Sequence, residues 1–416
     1  MNSAGKEITK TVGKLIDLTN KKAPLWGLFP LEQTMSRANY IDTSSKKTSF
    51  PNRDNESSVF KFGLETEYII SSLESLECLS YLDITFEEIE KIIDNVVFDD
   101  LPGDFSVLEI EAPMKKASPV IVEGYGLVDE DFKVFDMLPK GIEIRTSVCS
   151  SIDECLYVQK TLFNRVKKEL NKNGLDLIAL SHHPTLKNFH GPQNKRRYDW
   201  WQWAMQVMTT YGPDINISVP THLLTDFDLE AFDEKVNYYS PALTALSCAS
   251  PLFDGQVWEG VSMRTHKRSI VAPAIEYHSD EDNRLEFKFF DMSPNLYDYE
   301  AYFLIALSLV LNKDLKGKAD KSTRIYELGQ VAKHGLQTPN VMTKLYDFFE
   351  NTEATLKKHG FCTDQLARVY QRMRTKMTLA DEYKGIYRKG QKYLYHILSK
   401  LDETQLKQPL YFSQNL

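Results

Sequence analysis

The segment KFGLETEYII, Lys61 to Ile70, decides the fold. Along a strand alternate side chains share a face, so Phe62, Leu64, Thr66 and Tyr68 lie on one side and Gly63, Glu65 and Glu67 on the other. Two carboxylates therefore point together. The same division applies further along the chain. In GIEIRTSV, Ile142 and Ile144 oppose Glu143 and Arg145. In DINISVP, Ile215, Ile217 and Val219 oppose Asp214, Asn216 and Ser218. In RLEFKFFD, Leu285, Phe287 and Phe289 oppose Glu286 and Lys288, and SVLEIEAP read as a strand puts Glu109 with Glu111.

Any one of these is readily a solvated strand face. Together they carry chiefly acids with few bases between them. If the strands are neighbours in one sheet, each like-charge pair costs about 1 kcal/mol at 4 Å in water and several-fold more in a half-dry cleft. Such a face needs cations. Its donors are oxygens, with no Cys or His cluster of zinc spacing, so Mg²⁺ or Mn²⁺ fits best.

Outward from these strands, the chain reads as strands and turns from Val59 to about Asp291, interrupted by two helices, and as helix from Tyr299 onward. Ser151 and Glu154 form a capping box for the first helix, and Asn173-Gly174 ends it. The second runs from about Arg197 to Thr210 and carries Trp200, Trp201 and Trp203, at a spacing that suits core more than substrate wall. Further helices are predicted near 299–315, 323–335, 340–358 and 364–400. Strands first and helices after predict an α+β fold, a mainly antiparallel sheet covered on one face by helices. Residues 1–58 read as a short amphipathic helix and a polar linker, 59–336 as the catalytic domain, and 337–416 as a helical C-terminal extension packed on it.

Composition sets the outer bounds. The 416 residues are 42% apolar and 26% charged, which suits a folded soluble chain. A net charge of −8 is the wrong sign for gripping nucleic acid or an anionic membrane. The longest apolar run, Phe303 to Leu311, is broken by Ser308 and is far shorter than the roughly 20 residues that span a bilayer. The N-terminus has no apolar signal core, and five scattered cysteines form no disulfide framework, so a cytoplasmic, reduced protein is expected. No Walker, GxGxxG or kinase signature is present. The bases available to an acidic site are Arg264 and Arg268 in SMRTHKRS, Lys288, and the Lys195–Arg197 run, which is equally a solvated helix start.

FGLETEY, GIEIRTSVC, the HP of SHHPT, ALTALSCASPLFDG, SMR, LEFKFFD and KHGL stand in the order found in the type 2 glutamate-cysteine ligases. Over roughly residues 60 to 336 the chain resembles this group of carboxylate-amine ligases. The resemblance implies a glutamine synthetase-like fold, a curved antiparallel sheet with helices on its convex face. Its concave face would bind ATP and Mg²⁺, with Mn²⁺ the alternative. It implies an amide-forming, ADP-producing reaction through an acyl phosphate, with small-molecule carboxylate and amine substrates such as glutamate and cysteine, no nucleic acid, no membrane, and subunit association as is common in the family.

Residue by residue, Glu65, Glu67, Glu143 and Glu286 match acidic metal-binding positions, and Asp214 stands where type 2 members have the first histidine of HxH. Lys288 falls where the family usually has Arg. Arg264 and Lys288 would act on the transferring phosphoryl group. Arg268 and Asn216 complete the nucleotide-binding expectation, and Arg145, His183 and Lys333 the substrate-binding one. The DxN in place of HxH and the Lys in place of Arg at 288 and 333 keep a second reading open, a non-catalytic nucleotide-binding scaffold descended from such ligases.

Overall fold

In a computed structural model describing residues 59–403 apart from 194, 225 and 226, KFGLETEYII opens a long central strand, β1 (Lys61–Ser72). Its burial alternates as the sequence requires, with Phe62, Leu64, Thr66 and Tyr68 buried and Glu65 and Glu67 half-buried. The remaining strands are β2 (Val120–Val128), β3 (Val134–Arg145), β4 (Leu175–Ile178), β5 (Pro213–Ser218), β6 (Leu252–Phe253), β7 (Gln256–Val257), β8 (Ile275–His278) and β9 (Arg284–Phe287). A seven-stranded sheet runs β2-β3-β1-β5-β9-β8, with β4 pairing the far end of β1, and β6 and β7 form a separate two-stranded ribbon. Every pairing is antiparallel, and the sheet curls into a half-barrel.

One face of the sheet is apolar. Leu64, Ile142, Ile144, Ile215, Ile217, Leu285 and Phe287 are buried there in one core. Each such side chain contributes roughly 1.5–3 kcal/mol by leaving water. The helix Ile152–Lys172 packs on β1, β3 and β4, and the helix Leu296–Leu311 on β5. The Ser151 hydroxyl accepts from the Glu154 amide at 3.1 Å, while the Glu154 carboxylate turns to Ser150 rather than to the cap itself. Gly174, at φ +75°, closes the helix because its left-handed backbone suits glycine. In Leu296–Leu311 the apolar run is buried all round, and among the described residues no helix is long and apolar enough to cross a membrane.

The helices after Gln337 share this core. The expected 340–358 helix divides into Val341–Phe349 and Thr352–Lys358, and the 364–400 stretch into Leu366–Thr375, Leu379–Tyr387 and Gln391–Leu398. Leu345, Phe348, Leu366, Val369 and Leu394 are buried in the same core as the sheet. The sheet region also carries more than two helices. One is Phe86–Ile93, capped by a reciprocal Thr85–Glu88 box, and others are Leu229–Ser247 and Met263–Arg268.

SVLEIEAP is not a strand. It runs as turns and irregular chain with a cis Ala112-Pro113 bond and leaves Glu109 exposed. Beyond it, β2 and β3 pair as an antiparallel hairpin. The expected N-terminal helix and linker, residues 1–58, lie outside the described residues.

Candidate active site

Strand register decides which carboxylates meet. Glu67 stands opposite Glu143 and Glu65 opposite Arg145 across β1 and β3, while Gly63 faces Asn216 and Glu65 faces Asp214 across β1 and β5. Asn216 in turn faces Glu286 on β9, and Glu286 faces Glu276 on β8. The acids separated in sequence thus form one band across the face opposite the apolar one. Three sets of side chains can each bring one ligand atom within 4.8 Å of the others: Glu67, Glu123 and Glu143; Glu65, Asp214 and Glu286; and Glu276, His278 and Glu286.

The two ends of the band differ in charge balance. At the β5–β9–β8 end, the Lys288 ammonium donates to Asp214 at 3.0 Å, contacts Glu286, and lies 3.6 Å from Glu276. Arg284 donates to Asn216 at 2.6 Å and to Glu286 at 3.1 Å, and His278 Nε2 lies 2.9 Å from Glu286. Burial works against ionisation of Glu286, but Lys288, His278 and Arg284 hold its carboxyl well below the usual range. Burial pushes Asp214 up to about 7; Lys288 pulls against this, while Glu286 and Glu65 add to it. Asn216 Nδ2 donates to Glu65 at 3.1 Å, so it orders a carboxylate as well as standing beside one.

At the β2–β3–β1 end there is less compensation. Lys140, buried on β3, donates to Glu67 at 2.5 Å and lies 3.9 Å from Glu123. The Gly212 amide also donates to Glu67, at 2.7 Å. Although burial opposes it, Lys140, with Arg268 and Arg264 beyond, keeps Glu67 below the ordinary carboxylate range. Burial raises Glu123 to about 7, Glu67 and Glu111 adding to the effect of burial while Lys140 opposes it. Glu143 is raised well above normal by burial and by Glu123, Glu65 and Glu111. It has no hydrogen bond or salt bridge among the described residues. Three oxygen donors around one unmatched carboxylate suit a hard divalent cation, so the residues present fit Mg²⁺ or Mn²⁺ at this end.

Arg264 and Arg268 lie four residues apart on the helix Met263–Arg268 and act electrostatically on Glu67. Arg264 is buried and donates to the Lys288 carbonyl at 2.9 Å, with Asp291 at 3.9 Å. Burial and the neighbouring Arg268 lower it to about 10. The Arg264 and Arg268 Nε atoms are buried without hydrogen-bond partners among the described residues.

Three other expected positions, His183, Lys333 and Arg145, have the following surroundings. His183 is a turn residue: its Nδ1 accepts from the Leu186 amide at 2.9 Å, its Nε2 lies 3.2 Å from the Leu79 carbonyl, and burial lowers it to about 4. Lys333 is exposed on the last turn of the helix Lys321–His334, where a cation favours the helix terminus. Arg145 does face the acidic band, but its guanidinium contacts Glu111 and donates to the Ser118 carbonyl at 2.7 Å. The loop carrying Glu111 therefore occupies it. Lys195–Arg197 forms a short 3-10 turn in which Arg197 covers the Trp200 ring at 4.1 Å. Trp200 stacks on Tyr125, with centroids 4.6 Å apart, in a small second core with Phe189.

Sequence reading missed Glu123, Lys140, Glu276, His278 and Arg284. Alternation in AIEYH and at the start of RLEFKFFD places Glu276, His278 and Arg284 on the acidic face. Glu123 required recognising VIVEGYGLV as a strand despite its two glycines.

The fold is an α+β half-barrel that carries a band of carboxylates beside two arginines. Residues 62–267 match the family model of glutamate-cysteine ligase family 2. The fold is similar to a bifunctional glutathione synthetase from Pasteurella multocida, at 13% identity and a TM-score of 0.52, over 82% of this chain and 52% of that one. It is also similar to a glutamate-cysteine ligase from Francisella tularensis in complex with AMP, at 12% identity and a TM-score of 0.55, over 83% of this chain and 89% of that one. The chain thus spans about half the length of the Pasteurella protein. No curated protein sequence matches it.

Proposed function

We propose that the protein is an ATP-dependent, ADP-forming carboxylate-amine ligase, with glutamate as the acid and cysteine or another amino compound as the amine. The observation that carries this reading is the convergence of Glu65, Glu67, Glu123, Glu143, Asp214 and Glu286 on one face of the sheet beside Arg264 and Arg268. In the first step a substrate carboxylate oxygen attacks the γ-phosphorus of ATP; its bond to the bridging oxygen breaks and ADP leaves. In the second, the amine nitrogen attacks the acyl carbon, the C–O bond to phosphate breaks, and the nitrogen loses a proton. Glu67, Glu123 and Glu143 would hold a divalent cation, which supplies charge neutralisation for the nucleotide phosphates.

The protein's own residues set the rest. Arg264 and Arg268 present guanidinium donors where negative charge builds on the transferring phosphoryl group. Lys140 and the Gly212 amide fix the Glu67 carboxylate from two sides. Asn216 and Arg284 do the same for Glu65 and Glu286.

The test is mass spectrometry of the products formed from ATP, Mg²⁺, glutamate and a pooled amine library. ADP, phosphate and an amine heavier by one glutamyl group are expected. Release of AMP and pyrophosphate rules out the acyl phosphate route, and nucleotide binding with no turnover of any amine supports the scaffold reading instead.

A further inference from the structure

The acidic band carries two lysines of its own, and they are not equivalent. Lys140 serves one carboxylate closely, Glu67, with Glu123 at 3.9 Å. Lys288 sits among three: it is bonded to Asp214 at 3.0 Å and to Glu286, with Glu276 at 3.6 Å. Asp214 and Glu286, with Glu65, are also the residues whose oxygens can approach one another within 4.8 Å. The ammonium is therefore bonded to two of the three carboxylates, Asp214 and Glu286, that a divalent ion there would need. An ammonium is a compact cation with three donors, whereas a guanidinium in the same place is a planar fork that reaches outward.

Charge counting separates the two ends. Glu65, Asp214 and Glu286 are faced by Lys288 and Arg284, three carboxylates against two fixed cations, with His278 also against Glu286. Glu67, Glu123 and Glu143 are faced by Lys140, three carboxylates against one. A divalent ion matches the deficit at the second end. At the first it would meet the Lys288 ammonium bonded to two of its three ligands, whereas at the second Lys140 is closely bonded to Glu67 alone; a divalent ion and an ammonium 4 Å apart repel by about 2 kcal/mol even in water.

We infer that the Lys288 side chain is a built-in cation that takes the place of a second protein-held divalent ion between Glu65, Asp214 and Glu286. The chain alone then holds one such ion, at Glu67, Glu123 and Glu143. This rests on the metal-dependent reading above. It also gives Lys288 a different task from contacting phosphate, since both of its close partners are carboxylates of the protein.

The experiment is a count of Mn²⁺ bound per chain, by equilibrium dialysis and electron paramagnetic resonance, on the full chain without nucleotide or substrate. One ion is expected for the unsubstituted chain, two for Lys288→Gln, one for Lys288→Arg and none for Glu143→Gln, with circular dichroism confirming the fold of each. Two ions on the unsubstituted chain, a count that needs no variant, overturn the inference and leave the ligase reading standing. One ion on folded Lys288→Gln does the same. No Mn²⁺ on either the unsubstituted chain or Lys288→Gln overturns both.

Discussion

Glu67 and Glu143 are direct cross-strand partners, facing each other from β1 and β3. Like charges placed so are destabilising. Without a divalent cation the Glu143→Gln protein should therefore melt at a higher temperature than the unsubstituted one. Mg²⁺ at about 100 times its dissociation constant should stabilise the unsubstituted chain by about 2.7 kcal/mol and the variant by far less. Thermal melts with and without Mg²⁺ check this, and an equal Mg²⁺ shift in both proteins removes Glu143 from the cation site.

Gly212 lies against the Arg264 guanidinium, where an added Cβ would come 2.1 Å from Nη2, and its amide holds Glu67. Gly212→Ala must push Arg264 aside. Product formation should fall at least about tenfold, since misplacing a positioned group by about 1 Å costs on the order of a hundredfold. Far-ultraviolet circular dichroism should be unchanged. Steady-state rates on a par with the parent would show that the position of Arg264 is unimportant.

Asp298, in the first turn of Leu296–Leu311, accepts from Arg368 at 2.8 Å and from Arg372 at 2.7 Å, tying Leu366–Thr375 to the core helix. Asp298→Asn removes the charge between two guanidiniums and should cost about 3–5 kcal/mol in urea unfolding. A loss below about 1 kcal/mol would falsify the role of this cluster as an anchor.

The same carboxylate has a pH signature. Burial opposes its ionisation, but Arg372 and Arg368 bring Asp298 down to about 2 from the ordinary 3.8. A depressed folded-state value adds stability above the ordinary value and loses it as pH falls from about 4 through 2. The contribution is about 2 kcal/mol. Urea midpoints across that window should fall more steeply for the parent than for Asp298→Asn; parallel curves count against the shift.

Lys333 is exposed at a helix end, so Lys333→Ala should change stability by less than about 0.5 kcal/mol and leave turnover within about twofold. A large rise in KM with stability intact would return Lys333 to the substrate site.

The division of Glu65 and Glu67 from Phe62 and Leu64 is a property of a few consecutive residues, because the strand period is two and any register leaves it intact. The same holds for Glu143, Asp214 and Glu286, and for the capped start of Ile152–Lys172. Alternation therefore determined, from sequence alone, which side chains face the cleft and that the face is acidic.

It could not determine their partners. Glu67 meets Lys140 from 73 residues away and Lys288 meets Asp214 from 74, distances along the chain at which only strand order and register bring atoms together. Tertiary structure likewise decided that His183 spends both ring nitrogens on a turn and that Glu111 reaches Arg145 from a loop. Hydrogen bonds and Coulomb interactions weaken within a few ångströms, so the role of each charged group follows from its neighbours in space.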